Sequence, residues 1–168
     1  TELQAGLLLS QIGRARSDAD KRLENARYLD ERFKEIPGIE PYKLADGATR
    51  SSYHLYPFRY KKEYFDGLPR HKFRAAMQAE GIPCGRGYGQ QYFDGLIEEA
   101  ISSKGYKRLF SKERLDRYRD ELHHLPDNDQ LTLEACWFYQ NMLLAEKQDM
   151  DDIVNAVQKV YENRSKLL

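Results

Sequence analysis

The chain has 168 residues, with 27 Lys+Arg against 27 Asp+Glu, so its formal net charge is zero. That balance argues against a nucleic-acid binder working by phosphate neutralisation. No apolar run reaches the roughly 18 residues of a membrane span. The Leu7–Leu9 cluster follows Glu2 rather than the basic residues of a secretory leader. Cys84 and Cys136 stand alone without a C-x-x-C, which suggests a reducing, cytoplasmic compartment and no disulfide framework. The length suits one domain, or one domain plus a long helix.

Residues 1–36 read as one long helix. Thr1 and Gln4 fit a capping box. Leu3, Ala5, Leu7, Leu8, Leu9 and Ile12 put apolar side chains on nearly every face of its start, whereas a surface helix shows one stripe. From Ala19 the pattern narrows to Leu23, Ala26, Leu29, Phe33 and Ile36, spaced three and four apart. Pro37-Gly38 stops the helix. The second half should pack on its own domain. The first half needs more partners than a small domain offers, which leads us to expect further protein before Thr1.

Ile39 to Leu44 is a short strand candidate, and Asp46-Gly47 a turn. Residues 51–60, "SSYHLYPFRY", form the strongest strand pattern. Alternation predicts Tyr53 and Leu55 on one face, with His54, Tyr56, Phe58 and Tyr60 on the other. Pro57 predicts that this strand lies at an edge or ends there. Asp66-Gly67 turns the chain. Residues 69–81 predict a helix with Pro69 in its first turn, Phe73 and Met77 on one face and Gly81 as its stop. The Gly-rich stretch 82–93 is strand or irregular, and 94–124 resembles a charged insertion with short helices. Residues 125–132 read as a loop into a helical start at Thr132, 136–144 as a strand, and Asp149 as the cap of a final helix through Met150, Ile153, Val157, Val160 and Tyr161. The order defines an α+β fold: a long N-terminal helix and a small, mostly antiparallel sheet with helices on one face.

The histidines His54, His71, His123 and His124 match neither H-E-x-x-H nor zinc spacing with a cysteine, so no metal site is expected. "GRGYG" (85–89) has the glycines of a phosphate loop without its G-K-[ST] end. Cys84 reads as a small buried residue rather than a nucleophile. A better constellation is His54 and Tyr56 on one strand face, with Arg86, Tyr88 and Gln90 in the Gly-rich stretch. These groups suit a polyhydroxylated or phosphorylated small molecule, offering donors and acceptors for hydroxyls, a cation for phosphate and aromatic faces for sugar rings. The plainer alternative is that the tyrosines and His54 cover the sheet.

Several blocks resemble the DegT/StrS-type sugar aminotransferases, pyridoxal-phosphate enzymes of fold type I. The first is Thr1, Glu2, Gln4 and Ala5, an apolar helix, then Arg22, Asn25 and Ala26 in "R-x-x-N-A", and Ile36-Pro37-Gly38-Ile39. "SSYHLYPFRY" is similar to the family's His-bearing strand, "FRAAMQAEGIPCGRGY" to its helix and following strand, and "LLAEKQDMDDIVNAVQKV" to its closing segment. The stretch "CGRGYGQQYF" lacks the His that many members carry there, and residues 94–124 match no familiar block. The resemblance implies that residues 1–168 are the single C-terminal, small domain, with 1–36 as linking helix. The pyridoxal-phosphate domain and its Schiff-base lysine would lie upstream, and the helix start would pack on that domain and on the second subunit of a homodimer. It implies amino transfer from Glu or Gln to a keto-sugar or keto-cyclitol, with His54, Tyr56, Arg86, Tyr88 and Gln90 as substrate contacts, no catalytic or cofactor-binding residue in this chain, and no activity of the chain alone. The alternatives are a non-catalytic sugar-binding or sensing module, and an RNA-binding α+β module stacking bases on exposed aromatics.

Overall fold

A computed structural model describes residues 1–93, 95–122 and 125–168; His123 and His124, part of the metal reading, and Asp94 and His123–His124 of the expected insertion lie outside them. The chain divides into two compact units, one of residues 1–86 and 135–168, the other of residues 87–134.

In the first unit, helix α1 (Glu2–Phe33) starts on the Thr1–Gln4 capping box. It ends one turn earlier than its apolar spacing suggests, because Lys34–Gly38 turn the chain toward the sheet. Its start is bare: Leu3 is 87% exposed and Ile12 71%. Burial begins at Asn25, and Ala26, Leu29 and Phe33 are wholly enclosed.

Four antiparallel strands follow: β1 (Ile39–Pro41), β2 (Leu55–Tyr60), β3 (Gly85–Arg86) and β4 (Ala135–Tyr139), in the order β1-β2-β4-β3. All of β1, β2 and β4 are shorter than their sequence patterns: the strand expected over 136–144 ends at Tyr139, and Met142–Leu144 form a 3-10 turn. The expectation that the strand lies at an edge or ends near Pro57 is corrected: β2 lies between β1 and β4 and continues to Tyr60. Pro57 pairs with Trp137, and its carbonyl accepts from the Tyr42 amide at 3.1 Å. A residue's N and C=O point to the same side of an antiparallel strand. The missing donor of Pro57 therefore faces Tyr42, and the ladder ends after Pro41 because the return bond from Pro57 cannot form.

Tyr56, Phe58 and Tyr60 from β2 and Cys136 and Phe138 from β4 share the buried face of the sheet. Phe33 lands among them, 6.2 Å from Tyr56, 6.4 Å from Phe58 and 6.3 Å from Phe138 between ring centroids. A second group joins Tyr60 and Phe65 to Phe73 of helix α2 (Arg70–Ala79), with Tyr60 stacked on Phe73 at 4.4 Å. Helix α7 (Lys147–Glu162) closes the layer through Met150, Ile153, Val157 and Val160 and packs on α1 and α2. Its N-cap is Glu146 rather than Asp149. Asp149 occupies the reciprocal position of the capping box and accepts from the Glu146 amide at 2.8 Å.

The "R-x-x-N-A" block is structural. The Arg22 Nε donates to the Ser52 carbonyl at 2.9 Å. The buried Asn25 amide donates to the carbonyls of Leu143 and Ala145, at 2.9 and 3.0 Å, fixing the turn after β4. Gly38, at φ +86°, is held by its neighbours: an added Cβ would lie 2.7 Å from the Tyr64 Cβ and 3.0 Å from the Lys61 carbonyl.

The second unit contains α3 (Leu96–Ser102), α4 (Lys104–Leu109), α5 (Lys112–Leu122) and α6 (Pro126–Glu134). The loop expected over 125–132 is thus a helix, with Pro126 at its first position and Asp127 and Asp129 in its first turn, all favourable there. The Ser103 hydroxyl caps α4 by accepting from the Tyr106 amide. Arg119 of α5 holds Glu98 of α3 at 2.9 Å. Ile101 and Leu115 are buried. Among the described residues no helix is long and apolar enough to cross a membrane.

Replacing Asn25 by Leu removes two hydrogen bonds and leaves two carbonyls without them. We expect a loss of about 1–3 kcal/mol of stability in urea denaturation. An unchanged midpoint would show that the turn holds itself.

Candidate functional site

Of the five residues singled out from sequence, His54, Tyr56 and Arg86 belong to the first unit and Tyr88 and Gln90 to the second. His54 and Tyr56 do not lie on one face, a correction that originates at Tyr53. Its backbone adopts φ +47°, uncommon for a bulky side chain, and this breaks the alternation before β2 begins. Tyr53 turns inward, 5% exposed and stacked on Tyr56 at 6.1 Å, while His54 is exposed. Tyr56 is 1% exposed, and its hydroxyl donates to Asp30 of α1 at 2.7 Å. Burial and the adjacent Asp30 carboxylate push the Tyr56 phenol far above its ordinary value. Its described role is to tie the sheet to α1.

Arg86 is exposed at the end of β3, opposite Cys136. Cys136 in turn is opposite Phe58. Arg86 thus lies two strand spacings from β2, about 10 Å, and level with Phe58 rather than with the His54 end. The backbone before it is shaped by Trp137: an added Cβ at Gly85 would fall 1.9 Å from the indole Nε1. "GRGYG" therefore includes a glycine required by a packed indole, without any phosphate.

Tyr88 and Gln90 belong to the second unit. Tyr88 is exposed. Gln90 Nε2 donates to Asp129 Oδ1 at 3.5 Å, and the Tyr92 hydroxyl donates to the same carboxylate. That hydrogen bond, with burial, raises the Tyr92 phenol. The sequence reading missed Asp129: nothing in a local pattern connects it to residues almost forty positions earlier. It also missed two arginines of α2. Arg74 Nε donates to the Cys84 carbonyl and Arg70 Nη1 to the Ala135 carbonyl, each at 2.9 Å. Together they fix the start of β3 and of β4.

None of the chain's lysines is buried; Lys43 and Lys62 are exposed and Lys61 is half-buried. An amine that forms a Schiff base is normally activated by desolvation or by a neighbouring cation. The residues present therefore do not fit pyridoxal phosphate by themselves. Tyr56, Phe58 and Tyr60 of β2 and Phe138 of β4 lie in the core, while Trp137 is half-buried and Tyr139 is exposed.

A long helix leading into a small antiparallel sheet, with helices on one face and polar residues at the strand ends, defines an α+β domain of the fold-type-I aminotransferase kind. The chain belongs to the DegT/DnrJ/EryC1/StrS aminotransferase family, whose profile matches residues 1–104. It is 30% identical over 167 residues to a Micromonospora echinospora protein provisionally named L-glutamine:3-amino-2,3-dideoxy-scyllo-inosose aminotransferase, covering 97% of this chain and 39% of that one. It is 27% identical over 168 residues to the L-glutamine:2-deoxy-scyllo-inosose aminotransferase of Streptomyces kanamyceticus, covering 99% and 38%. The fold matches 3-amino-5-hydroxybenzoic acid synthase with a TM-score of 0.68 at 17% identity, over 95% of this chain and 38% of that one. It also matches the Helicobacter pylori aminotransferase PseC, of pseudaminic acid biosynthesis, with a TM-score of 0.61 at 23% identity, over 96% and 38%. The chain thus spans about two-fifths of the length of these relatives.

Burial also raises the Asp30 carboxyl, and the hydrogen bond from Tyr56 offsets this only in part. A carboxyl that holds its proton more tightly when folded destabilises the fold as pH rises from its unfolded value through its folded one. We expect Asp30→Asn, which keeps an oxygen for the Tyr56 hydroxyl, to gain stability relative to the wild type as pH rises above about 4, the ordinary value of the carboxyl. A difference independent of pH would show the carboxyl to be unstrained.

Proposed function

We propose that this chain is the C-terminal domain of a pyridoxal-phosphate aminotransferase that moves an amino group from glutamine or glutamate to a keto-cyclitol or keto-sugar. The observation that carries the reading is similarity along nearly the whole chain to proteins named as glutamine:scyllo-inosose aminotransferases. Supporting it is the bare start of α1, where Leu3, Leu7, Leu8, Leu9 and Ile12 are each at least 65% exposed. Such a patch is expected where other protein covers it. In this reading the cofactor-holding domain and a second subunit of a cytoplasmic homodimer do so.

The electron-sink chemistry belongs to pyridoxal phosphate, and its lysine and phosphate cradle come from protein outside this chain. What this chain contributes is contacts to the substrate, from each of its two units taken by itself. His54 and Arg86 offer exposed donors at two ends of the sheet, the guanidinium suited to a carboxylate or phosphate. Tyr88 and Gln90, on the segment braced by Asp129, offer hydroxyl and amide groups to a polyol. Tyr56 acts from beneath, by holding the sheet to α1 through Asp30.

In the full-length protein, Arg86→Ala should lower kcat/KM by about tenfold or more, the equivalent of one charged hydrogen bond, with an unchanged melting temperature. Normal kinetics with a lowered melting temperature would make Arg86 a structural residue. The 168-residue chain alone, incubated with pyridoxal phosphate, reduced with borohydride and mapped, should carry only scattered, substoichiometric adducts. One stoichiometric adduct on one lysine would overturn the division of labour proposed here.

A further inference from the structure

The chain has three Asp-Gly steps, Asp46-Gly47, Asp66-Gly67 and Asp94-Gly95, of which Asp94 lies outside the described residues. Such a step is chemically weak, because glycine has no Cβ to shield its amide nitrogen from the preceding carboxyl. What preserves it is structure, and the two described steps differ in this.

Asp46-Gly47 forms the tip of the connection between β1 and β2, where residues 42–50 are all exposed. The Ala48 amide donates to the Ala45 carbonyl at 3.0 Å, and Gly47 takes φ +83°, as the third residue of a type II turn requires. Among the described residues neither the Asp46 carboxylate nor the Gly47 amide has a hydrogen-bond or ion-pair partner. Asp66-Gly67 is held instead. Its neighbours on either side, Phe65 and Leu68, are wholly buried. The Gly67 amide donates to the Lys62 carbonyl at 2.9 Å, and the Asp66 carboxylate is paired with Arg164 at 3.2 Å. Nitrogen and carboxyl are thus both engaged at Asp66 and both unengaged at Asp46.

We propose that Asp46 is a covalent modification site, where the Asp46-Gly47 step rearranges through a cyclic imide to an isoaspartyl linkage while Asp66-Gly67 is preserved. The Gly47 nitrogen attacks Cγ of the Asp46 carboxyl. The N–Cγ bond forms, a C–O bond breaks, and the hydroxyl leaves with the amide proton as water. Water then opens the imide. Attack on the side-chain carbonyl restores aspartate; attack on the main-chain carbonyl leaves the backbone running through Cβ. One water is lost and one regained, with no change of oxidation state.

The backbone is lengthened by one carbon between two anchors. Upstream, the Tyr42 amide is bonded to the Pro57 carbonyl at 3.1 Å; downstream, Arg50 is paired with Asp20 at 2.8 Å. The change is absorbed in the exposed residues between them, so the folded chain retains it. The product presents a free α-carboxylate in an exposed turn, the group that a repair-type carboxyl methyltransferase esterifies from S-adenosylmethionine.

The test compares the 168-residue chain folded in buffer with the same chain in guanidinium chloride, both at neutral pH. Samples are digested at intervals, and the isomeric peptides are separated by chromatography and assigned by electron-transfer fragmentation. We expect isoaspartate at Asp46 to accumulate at nearly the same rate in both, with the imide seen as a peptide lighter by one water. At Asp66 the folded rate should fall about tenfold or more below the denatured rate, the factor that one hydrogen bond represents. The aged, folded chain should accept labelled methyl groups at Asp46 from an isoaspartyl methyltransferase. Folding that slows Asp46 as much as Asp66 would overturn the proposal. So would isoaspartate appearing first at Asp66 in the folded chain, none at Asp46 by the time the denatured sample has formed it, or no methyl label on the Asp46 peptide.

Discussion

Phe33 is the point on which the first unit turns. It is the last residue of a 32-residue helix, and its ring touches three aromatic residues from two strands, Tyr56, Phe58 and Phe138. Each is fully enclosed. Aromatic pairs at these separations contribute about 0.5–1.5 kcal/mol each beyond the area they bury. More important is the geometry they impose: the helix can end only where its final ring meets the sheet. The turn through Pro37-Gly38 then delivers Ile39 to β1, and the carbonyl of Gly38 accepts from the Lys61 amide at 2.8 Å to close the strand pair.

Most of that frame was legible. Spacings of three and four placed the buried stripe of α1, and Phe73 with Met77 placed that of α2, because an amphipathic face is a local pattern. Alternation marks β2 for the same reason, and β4 stands out by its aromatic residues. Three expectations fail from another cause. Pro57 points to an edge or a strand end because a sequence shows the missing donor but not the neighbour it faces. His54 falls on the face of Tyr56 in a strict alternation because one residue at positive φ shifts the parity of everything before it. Pro126 reads as a loop residue although Pro, Asp and Asp also describe a helix's first turn. Each needed a backbone conformation or a neighbour that periodicity does not carry.

The candidate site was less legible than the fold. Residue types gave a set of polar and aromatic groups, but contact between them depends on strand order. With β4 between β2 and β3, His54 and Arg86 cannot be immediate neighbours. The family block around Asn25 shows the opposite case. A pattern that reads as a signature of function resolves into a buried amide spanning two carbonyls. Asp129, which braces Gln90 and Tyr92, was invisible because its partners lie in a different segment of the second unit. Residues of that kind are set by tertiary pairing, and no spacing rule announces them.

The proline in the middle of β2 also decides how far β1 can run. In the native register Tyr42 lies opposite Pro57: its amide reaches the Pro57 carbonyl at 3.1 Å, and the ring withholds the return bond. A residue that looks like a flaw in a strand thus works as a terminator: the ladder that begins where Ile39 meets Tyr60 stops after Pro41, and the chain is released from the sheet there.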